Sequence, residues 1–240
     1  MDFEEVKKVI SFQKYHFGSD TLWDNLSNDL KQQLLESIRL LNFRKNQIVF
    51  QENGTPTGIY FLKEGKVKKY KQGLNGKEQI FYIASKGELL GYHALLSQEY
   101  YPDSSETLEA SEIGFIPKDV FMKIYNSSNE LKEQIAKIMG HEYGVLINHI
   151  TIMAQYNVRE RLAITLLLLK DKFKKEISQP AEIVLSREDL ANYVGTAREN
   201  LIRLLNELKT DKIIKTKGRT IFILKPYELI KISNLYLHVG

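Results

Sequence analysis

Two helix-start signals set ten residues apart constrain this chain more than any other feature of it. Ser186 is followed three positions on by Asp189, Thr196 by Glu199, and Val194-Gly195 lies between them. A hydroxyl residue answered at the third position by a carboxylate is a capping box, in which side chains satisfy backbone N–H groups left open by the first helical turn. The pattern predicts two short helices joined by a tight glycine turn. In the first, Leu190 and Val194 face inward, and Ala191 is small enough to let the second helix cross closely. This is the layout of a helix-turn-helix.

The second helix, TARENLIRLLNEL, places Leu201, Leu204, Leu205 and Leu208 on one face. At about 100° per residue, the opposite side carries Glu199, Arg203 and Asn206, with Arg198 in the first turn. Those are groups able to read base edges. An Arg can bond guanine O6 and N7 together and a Glu can accept from cytosine N4, each worth about 1 to 3 kcal/mol of discrimination. Closing the capping box with Thr196 is an alternative role for Glu199, compatible with the first. Thr196 and Ser186, at the two helix starts, complete the candidate surface. Beyond it, Ile213-Ile214 and Thr220 to Leu224 read as two strands around Lys215, Lys217, Gly218 and Arg219. A basic hairpin in that place is a wing whose Lys217 and Arg219 would meet phosphates, positioning a duplex without specifying its sequence.

Charge agrees with this division. Residues 1 to 156 hold 18 Lys+Arg and 20 Asp+Glu, a net of −2, whereas residues 157 to 240 hold 16 and 10, a net of +6. A polyanion partner for the carboxyl-terminal part explains that asymmetry, and so does a solvated lysine-rich surface. With no cysteine, disulfides, iron-sulfur clusters and thiolate zinc sites are excluded. No metal site and no cofactor is expected. The start, MDFEEVKKVISF, lacks the basic flank and apolar core of a signal peptide, and no stretch approaches the roughly 20 apolar residues that span a bilayer. The expectation is a cytoplasmic chain without membrane contact.

Upstream, short β-branched and aromatic runs alternate with glycine turns from Ile48 to Ile116: Ile59 to Leu62, Val67 to Tyr70, Gln79 to Ile83 and Ile113 to Ile116. That rhythm predicts a β-roll. Asn75-Gly76, both tolerant of positive φ, is the strongest hairpin signal. Before the roll, Leu26, Leu30, Leu34, Leu35, Ile38 and Leu41 have helical spacing. After it, one long helix is predicted from Asn129 to Tyr156. Leu131, Ile138, Val145 and Ile152 recur every seven residues along it, with Met139, Leu146 and Met153 as a second stripe beside them. Two stripes need two partners, the roll and a twin chain, so this is read as a dimerisation helix. A single wide core-facing stripe in a monomer is the alternative. Glu142 and His149 interrupt the seam, where they set register or lie in solvent. Asn157 with Glu160 forms a further capping box, opening a helix through Leu162, Leu166 and Leu169, and Pro180 reads as part of a polar loop. The fold class is therefore α+β. It comprises a jelly-roll-like β-roll with a helical start (1–128), a dimerisation helix (129–156) and a winged helix-turn-helix (157–240).

From about residue 26 onward this order of parts resembles the CRP/FNR family of bacterial transcription regulators. LSREDLANYVGTARENLIRLLNELKTDKII is similar to the family's helix-turn-helix, and NGTPTGIYFLKEGKVKKY to a stretch of its roll. Members of the cAMP receptor type carry an Arg-Glu pair and a further Arg in the recognition helix, positions matched here by Arg198, Glu199 and Arg203. The resemblance implies sequence-specific regulation by a homodimer on double-stranded DNA at a palindromic site, with half-sites resembling TGTGA or TTGA. It further implies RNA polymerase as a partner and no enzymatic activity.

The cyclic-nucleotide cassette of the family departs from its pattern here. Its Gly-Glu pair holds the ribose and a later Arg-Ser pair the phosphate, whereas this chain reads GYHALLSQEYYPDSS, with Tyr92 for the Glu and Tyr101 or Asp103 for the Arg. No Lys or Arg lies between Lys86 and Lys118, while six acidic residues do. A buried phosphate would lose its charge-assisted bonds. The expectation is no tight binding of cAMP or cGMP, unless Lys68 or Lys132 supplies the cation from another segment. An effector is unknown. Tyr82, Leu90, Gly91, Tyr92, His93 and Leu95 outline a pocket better suited to a neutral or apolar ligand, or one filled by its own side chains. Haem-dependent sensors occur in the family and His93 is the candidate axial ligand. Alternatives to the main reading are thus a haem- or small-ligand-dependent sensor, and a cyclic-nucleotide regulator with a non-standard phosphate site.

Overall fold

The computed structural model describes residues 12–173 and 182–235, so Pro180 and its expected loop lie outside the described residues. Two compact units form, Phe17–Val145 and the described residues on either side of that span.

In the unit Phe17–Val145, helix α1 (Asn28–Glu36) leads into β1 (Arg39–Phe43), β2 (Ile48–Phe50), β3 (Gly58–Glu64), β4 (Val67–Gln72), β5 (Glu78–Ala84) and β6 (Leu89–Leu90). Helix α2 (Tyr92–Ser97), β7 (Ser104–Thr107), β8 (Ser111–Pro117) and helix α3 (Lys118–Ser127) follow. The strands make two four-stranded antiparallel sheets, ordered β1-β8-β3-β6 and β2-β7-β4-β5. This is the expected roll. Its β4–β5 hairpin turns through Asn75 and Gly76, whose φ angles of 63° and 71° use the left-handed freedom these residue types have.

The leucine-rich segment before the roll ends sooner than its spacing predicts. Leu26, Leu30 and Leu34 are buried, but α1 stops at Glu36, where the Ser37 and Ile38 N–H groups donate to the carbonyls of Leu34 and Leu35. Leu41 lies instead on β1 opposite Ile113, and Leu35 is 55% exposed. Pairing with β8 supplies backbone hydrogen bonds that compete with one more helical turn, and helical periodicity alone cannot register that competition.

Helix α4 (Asn129–Gln155) follows, and the division between the units falls within it. Leu131, Ile138 and Val145 are buried in the first unit and Ile152 in the second. Of the two stripes on the expected dimerisation helix, that of Leu131, Ile138, Val145 and Ile152 is therefore the one the chain itself covers. Exposed instead are Met139, Tyr143, Leu146, Ile150 and Met153, at 37 to 68%. Their spacing of four, three, four and three residues is that of a coiled-coil seam. Glu142, read as a seam breaker or a solvated residue, is 2% exposed.

In the second unit, Asn157 caps helix α5 (Val158–Phe173): its Oδ1 accepts from the Arg159 and Glu160 N–H groups at 3.0 and 3.1 Å, and its own N–H donates to Glu160 at 2.8 Å. From Leu162 to Leu169 every residue of α5 is buried, as expected of a helix that is apolar all round. Strand β9 (Glu182–Val184), helices α6 (Arg187–Val194) and α7 (Arg198–Thr210), strands β10 (Ile214–Lys217) and β11 (Thr220–Ile223), and helix α8 (Pro226–Ser233) complete the unit. Its sheet runs β10-β11-β9. Residues 12–16, for which the sequence offers no signal, pack here too. The Lys14 carbonyl accepts from Asn148 Nδ2 at 2.8 Å and that of Tyr15 lies 3.3 Å from His149 Nε2. Among the described residues no helix is long and apolar enough to cross a membrane.

Candidate nucleic-acid interface

The helix pair α6–α7 is fixed at three points. Ser186 Oγ accepts from the Asp189 N–H at 2.9 Å and donates to Asp189 Oδ2 at 2.5 Å, so its cap is made and its hydroxyl is occupied. Gly195 closes α6 with φ 72°, and its N–H and that of Thr196 both donate to the Ala191 carbonyl. Arg161, from α5, then grips the turn: Nε donates to the Val194 carbonyl at 2.9 Å, Nη2 to that of Gly195 at 3.1 Å and Nη1 to that of Tyr156 at 2.9 Å. A planar fork of donors suits three fixed carbonyls in a way that an ammonium does not.

The capping box expected at Thr196 and Glu199 does not form. Helix α7 is preceded by Ala197, which has no side-chain cap, and Thr196 is 8% exposed. Thr196 Oγ1 accepts from Asn200 Nδ2 at 2.9 Å, Asn200 Oδ1 accepts from Arg203 Nη2 at 2.8 Å, and Arg203 Nη1 pairs with Glu207. This ladder orients Arg203 along the helix. It also takes Thr196 off the outer surface and leaves Glu199 exposed without a capping role.

The two faces of α7 separate cleanly. Leu201, Leu204, Leu205 and Leu208 are at most 4% exposed, while Arg198, Glu199, Arg203 and Asn206 all face solvent, joined by Ile202 at 38% exposure. Arg203 and Asn206 also border an open groove of about 420 Å³ with Arg159 and Thr210. The Arg203–Glu207 pair is a surface pair between adjacent turns, worth about 0.3 to 0.5 kcal/mol, and gives way readily to a better partner.

Strands β10 and β11 pair with Lys217 opposite Thr220, leaving Gly218 and Arg219 as a two-residue turn. Arg187, at the start of α6, donates to the Arg219 carbonyl at 3.3 Å and the Gly218 carbonyl at 3.1 Å. The wing's backbone is thus held from below while the Lys217 and Arg219 residues stay exposed. Arg161, Asn200 and Arg187 escaped the sequence reading. Arg161 left no sequence signal of its own, as it is the last of three consecutive charged residues, Arg159-Glu160-Arg161, before the apolar run that starts at Leu162.

In the roll, the outlined effector pocket is not open. Tyr82, Leu90, Tyr92 and Leu95 are at most 2% exposed and belong to the core, and Gly91 holds the left-handed turn before α2. The Tyr82 ring stacks on Phe17 at 3.9 Å and its hydroxyl accepts from the Phe17 N–H at 3.2 Å. Tyr92 donates its hydroxyl to Glu142 Oε2 at 2.5 Å. Burial first, then the adjacent Glu142 carboxylate and Glu88, push the Tyr92 hydroxyl far up, so it stays a donor. His93 Nε2 lies 2.8 Å from the same Glu142 oxygen, which gives haem ligation through that nitrogen no support. A cavity of about 450 Å³ does open in this unit, bounded by Thr55, Pro56, Gln98, Tyr100 and Lys118. Of the six outlined residues only Leu95 touches it.

Nor do the cations from other segments stand ready for a phosphate. Lys68 is 2.7 Å from Glu78 and 3.6 Å from Glu106, and Lys132 Nζ donates to the Asn126 carbonyl at 2.7 Å. Lys69, buried at 6% exposure, faces Asp103 at 3.5 Å and the rings of Phe17 and Phe81.

Comparison with known proteins agrees with this geometry. Residues 40–128 match the cyclic nucleotide-binding domain and residues 160–232 the Crp-like helix-turn-helix domain. The fumarate and nitrate reduction regulatory protein of Vibrio cholerae is 28% identical over 209 residues, 86% of this chain and 82% of that one. The anaerobic regulatory protein of Pasteurella multocida is 27% identical over 193 residues, 80% and 70% of the two chains. Among solved structures, FixK2 from Bradyrhizobium japonicum shares the fold with a TM-score of 0.70 at 21% identity, over 81% of this chain and 96% of that one. A putative regulator from Eubacterium rectale matches at 0.70 and 19%, over 89% and 97%.

A β-roll, a long helix and a winged helix-turn-helix with a polar outer face define a DNA-binding transcription regulator. The chain belongs to the CRP/FNR family.

Proposed function

We propose that the protein regulates transcription as a homodimer that sets α7 of each copy into the major groove of a two-fold-related site. The carrying observation is the outer side of α7, where Arg198, Glu199, Arg203 and Asn206 are exposed opposite a fully buried leucine face. Arg198, Glu199, Arg203 and Asn206 read base edges, Lys217 and Arg219 meet phosphates, and Ser186 and Thr196 shape the helix starts. Pairing along Met139, Tyr143, Leu146, Ile150 and Met153 supports the dimer, because a stripe this apolar at heptad spacing gains by burial. Functionally the chain divides into an effector-type domain (1–128), a pairing helix (129–156) and a DNA-binding domain (157–240). It works in the cytoplasm, with RNA polymerase as its further partner.

The reading includes no response to cAMP, and it rests on the burial of Tyr82, Leu90, Tyr92 and Leu95 and on the engagement of Lys68, Lys69 and Lys132. Selection of random duplexes by the purified protein, with and without cAMP, tests both parts. A symmetric motif selected equally well in either condition is expected, and Glu199→Ala should relax preference at one position per half-site. Selection of no motif would overturn base readout; a motif that needs cAMP would overturn ligand independence.

A further inference from the structure

Among the exposed residues of α7, Ile202 is the one that hydrogen bonding does not explain. With Arg198 at 0° on the helical wheel, Ile202 lies at about 40°, Asn206 at about 80°, Glu199 at about 100° and Arg203 at about 140°. An aliphatic β-branched side chain, 38% exposed, therefore sits between two polar readers on the face that meets DNA. It cannot satisfy a donor or acceptor on a base edge. Set against a polar edge, it would leave that edge dehydrated and unbonded, at a cost. The major groove offers one methyl group, the C5-methyl of thymine. We infer that Ile202 selects thymine by packing on this methyl. The inference rests on the reading of α7 as the base-contacting helix, and it adds a hydrophobic element to a readout otherwise made of hydrogen bonds.

Spacing sharpens the claim. From Glu199 to Ile202 the helix rises about 4.5 Å, and base pairs are stacked about 3.4 Å apart. The thymine should lie one or two base pairs from the pair that Glu199 engages, the position whose selectivity is lost in Glu199→Ala.

The test uses duplexes in which each thymine of the selected half-site is replaced in turn by deoxyuridine. That change removes the methyl and keeps every hydrogen-bonding group. One buried methyl contributes about 0.8 kcal/mol, so the full chain should bind about fourfold more weakly when one particular thymine is replaced. Ile202→Ser should bind both duplexes equally, and Ile202→Val should keep most of the discrimination. Because Ile202 is exposed, the variants should fold, as circular dichroism and retained nonspecific DNA binding would show. Equal affinity of the natural chain for thymine and deoxyuridine at every position overturns the inference, as does full discrimination by Ile202→Ser. Failure to select any sequence would sink the interface reading and this one together. A selected site blind to the methyl sinks only this one.

Discussion

The roll and the helix-turn-helix use their polar side chains in opposite directions. In the unit that holds the roll, Lys68, Lys69, Asp103, Tyr92 and Glu142 are buried and are taken up by partners in that same unit, Lys68 by Glu78, Lys69 by Asp103 and Tyr92 by Glu142. In the helix-turn-helix the inward-pointing cations, Arg161 and Arg187, hold backbone carbonyls of the two turns, while Arg198, Glu199, Arg203 and Asn206 point out. A buried charge that already has a partner must lose it before meeting a ligand, and leaving either partner unpaired is costly. A solvated charge has little to give up. The comparison teaches that this chain keeps its capacity for outside anions in one region and has spent it in the other.

The largest expected effect is at Arg161, because one side chain fixes both the α6–α7 turn and Tyr156 in the junction between α4 and α5. Arg161→Ala leaves three carbonyls without their donors and should lower unfolding stability by about 3 kcal/mol. Arg161→Lys should rescue little, since an ammonium cannot span the fork. Chemical denaturation measures this, and a loss below about 1 kcal/mol would mean that the turn holds itself. In the roll, Asp103→Ala should cost about 2 kcal/mol by stranding Lys69 in a buried place. The double variant Lys69→Met with Asp103→Leu should return to within about 1 kcal/mol of the starting protein. A double variant as unstable as the single one would show that the pair does more than neutralise itself.

How much of this was legible in the sequence depends on how local the cause is. Strands β3, β4, β5 and β8 of the roll, the Asn157 box, the Ser186 cap and the two faces of α7 follow from spacing within a few residues, and all appear where the pattern puts them. What escaped depends on partners distant in sequence. Arg161 reaches a turn 33 residues away, Arg187 a hairpin 31 residues away, and Tyr92 a carboxylate 50 residues away. The long helix shows the same limit. Both apolar stripes are visible in the sequence, but which of them the chain itself covers is settled by packing. The Thr196 box failed for a local reason too subtle for a motif, because Ala197 rather than Thr196 precedes the first turn and Asn200 claims the hydroxyl.

The wing offers a smaller and cleaner contrast, since Lys217 and Arg219 touch no part of the reading surface in the proposed readout. Replacing both by Ala should weaken binding to every sequence by about tenfold at moderate salt. It should also reduce the slope of log K against log salt by up to about 1.8, or 0.9 for each lost phosphate contact. Selectivity in a randomised-site assay should stay the same. A changed motif with an unchanged slope would mean that the wing reads bases, and the division between positioning and reading would have to be redrawn.

The smallest effect concerns the segment that packs beside α4 and α5 in the second unit. His16 is pushed down from its ordinary 6.5 to about 3, mostly by burial and further by the nearby Lys172 and His149, so it is neutral when folded. Unfolded, the same imidazole takes up a proton below about pH 6.5. Its contribution is therefore fully present above that value and declines as pH falls toward 3, the unfolded chain binding the extra proton. Between pH 7.5 and 5.5 the protein should lose about 1 kcal/mol through this residue, whereas a surface histidine would contribute almost nothing. His16→Gln should flatten that part of the pH dependence in paired thermal melts. If the variant and the starting protein lose stability in parallel, His16 is not the titrating group, and the buried ring is merely packed where it lies.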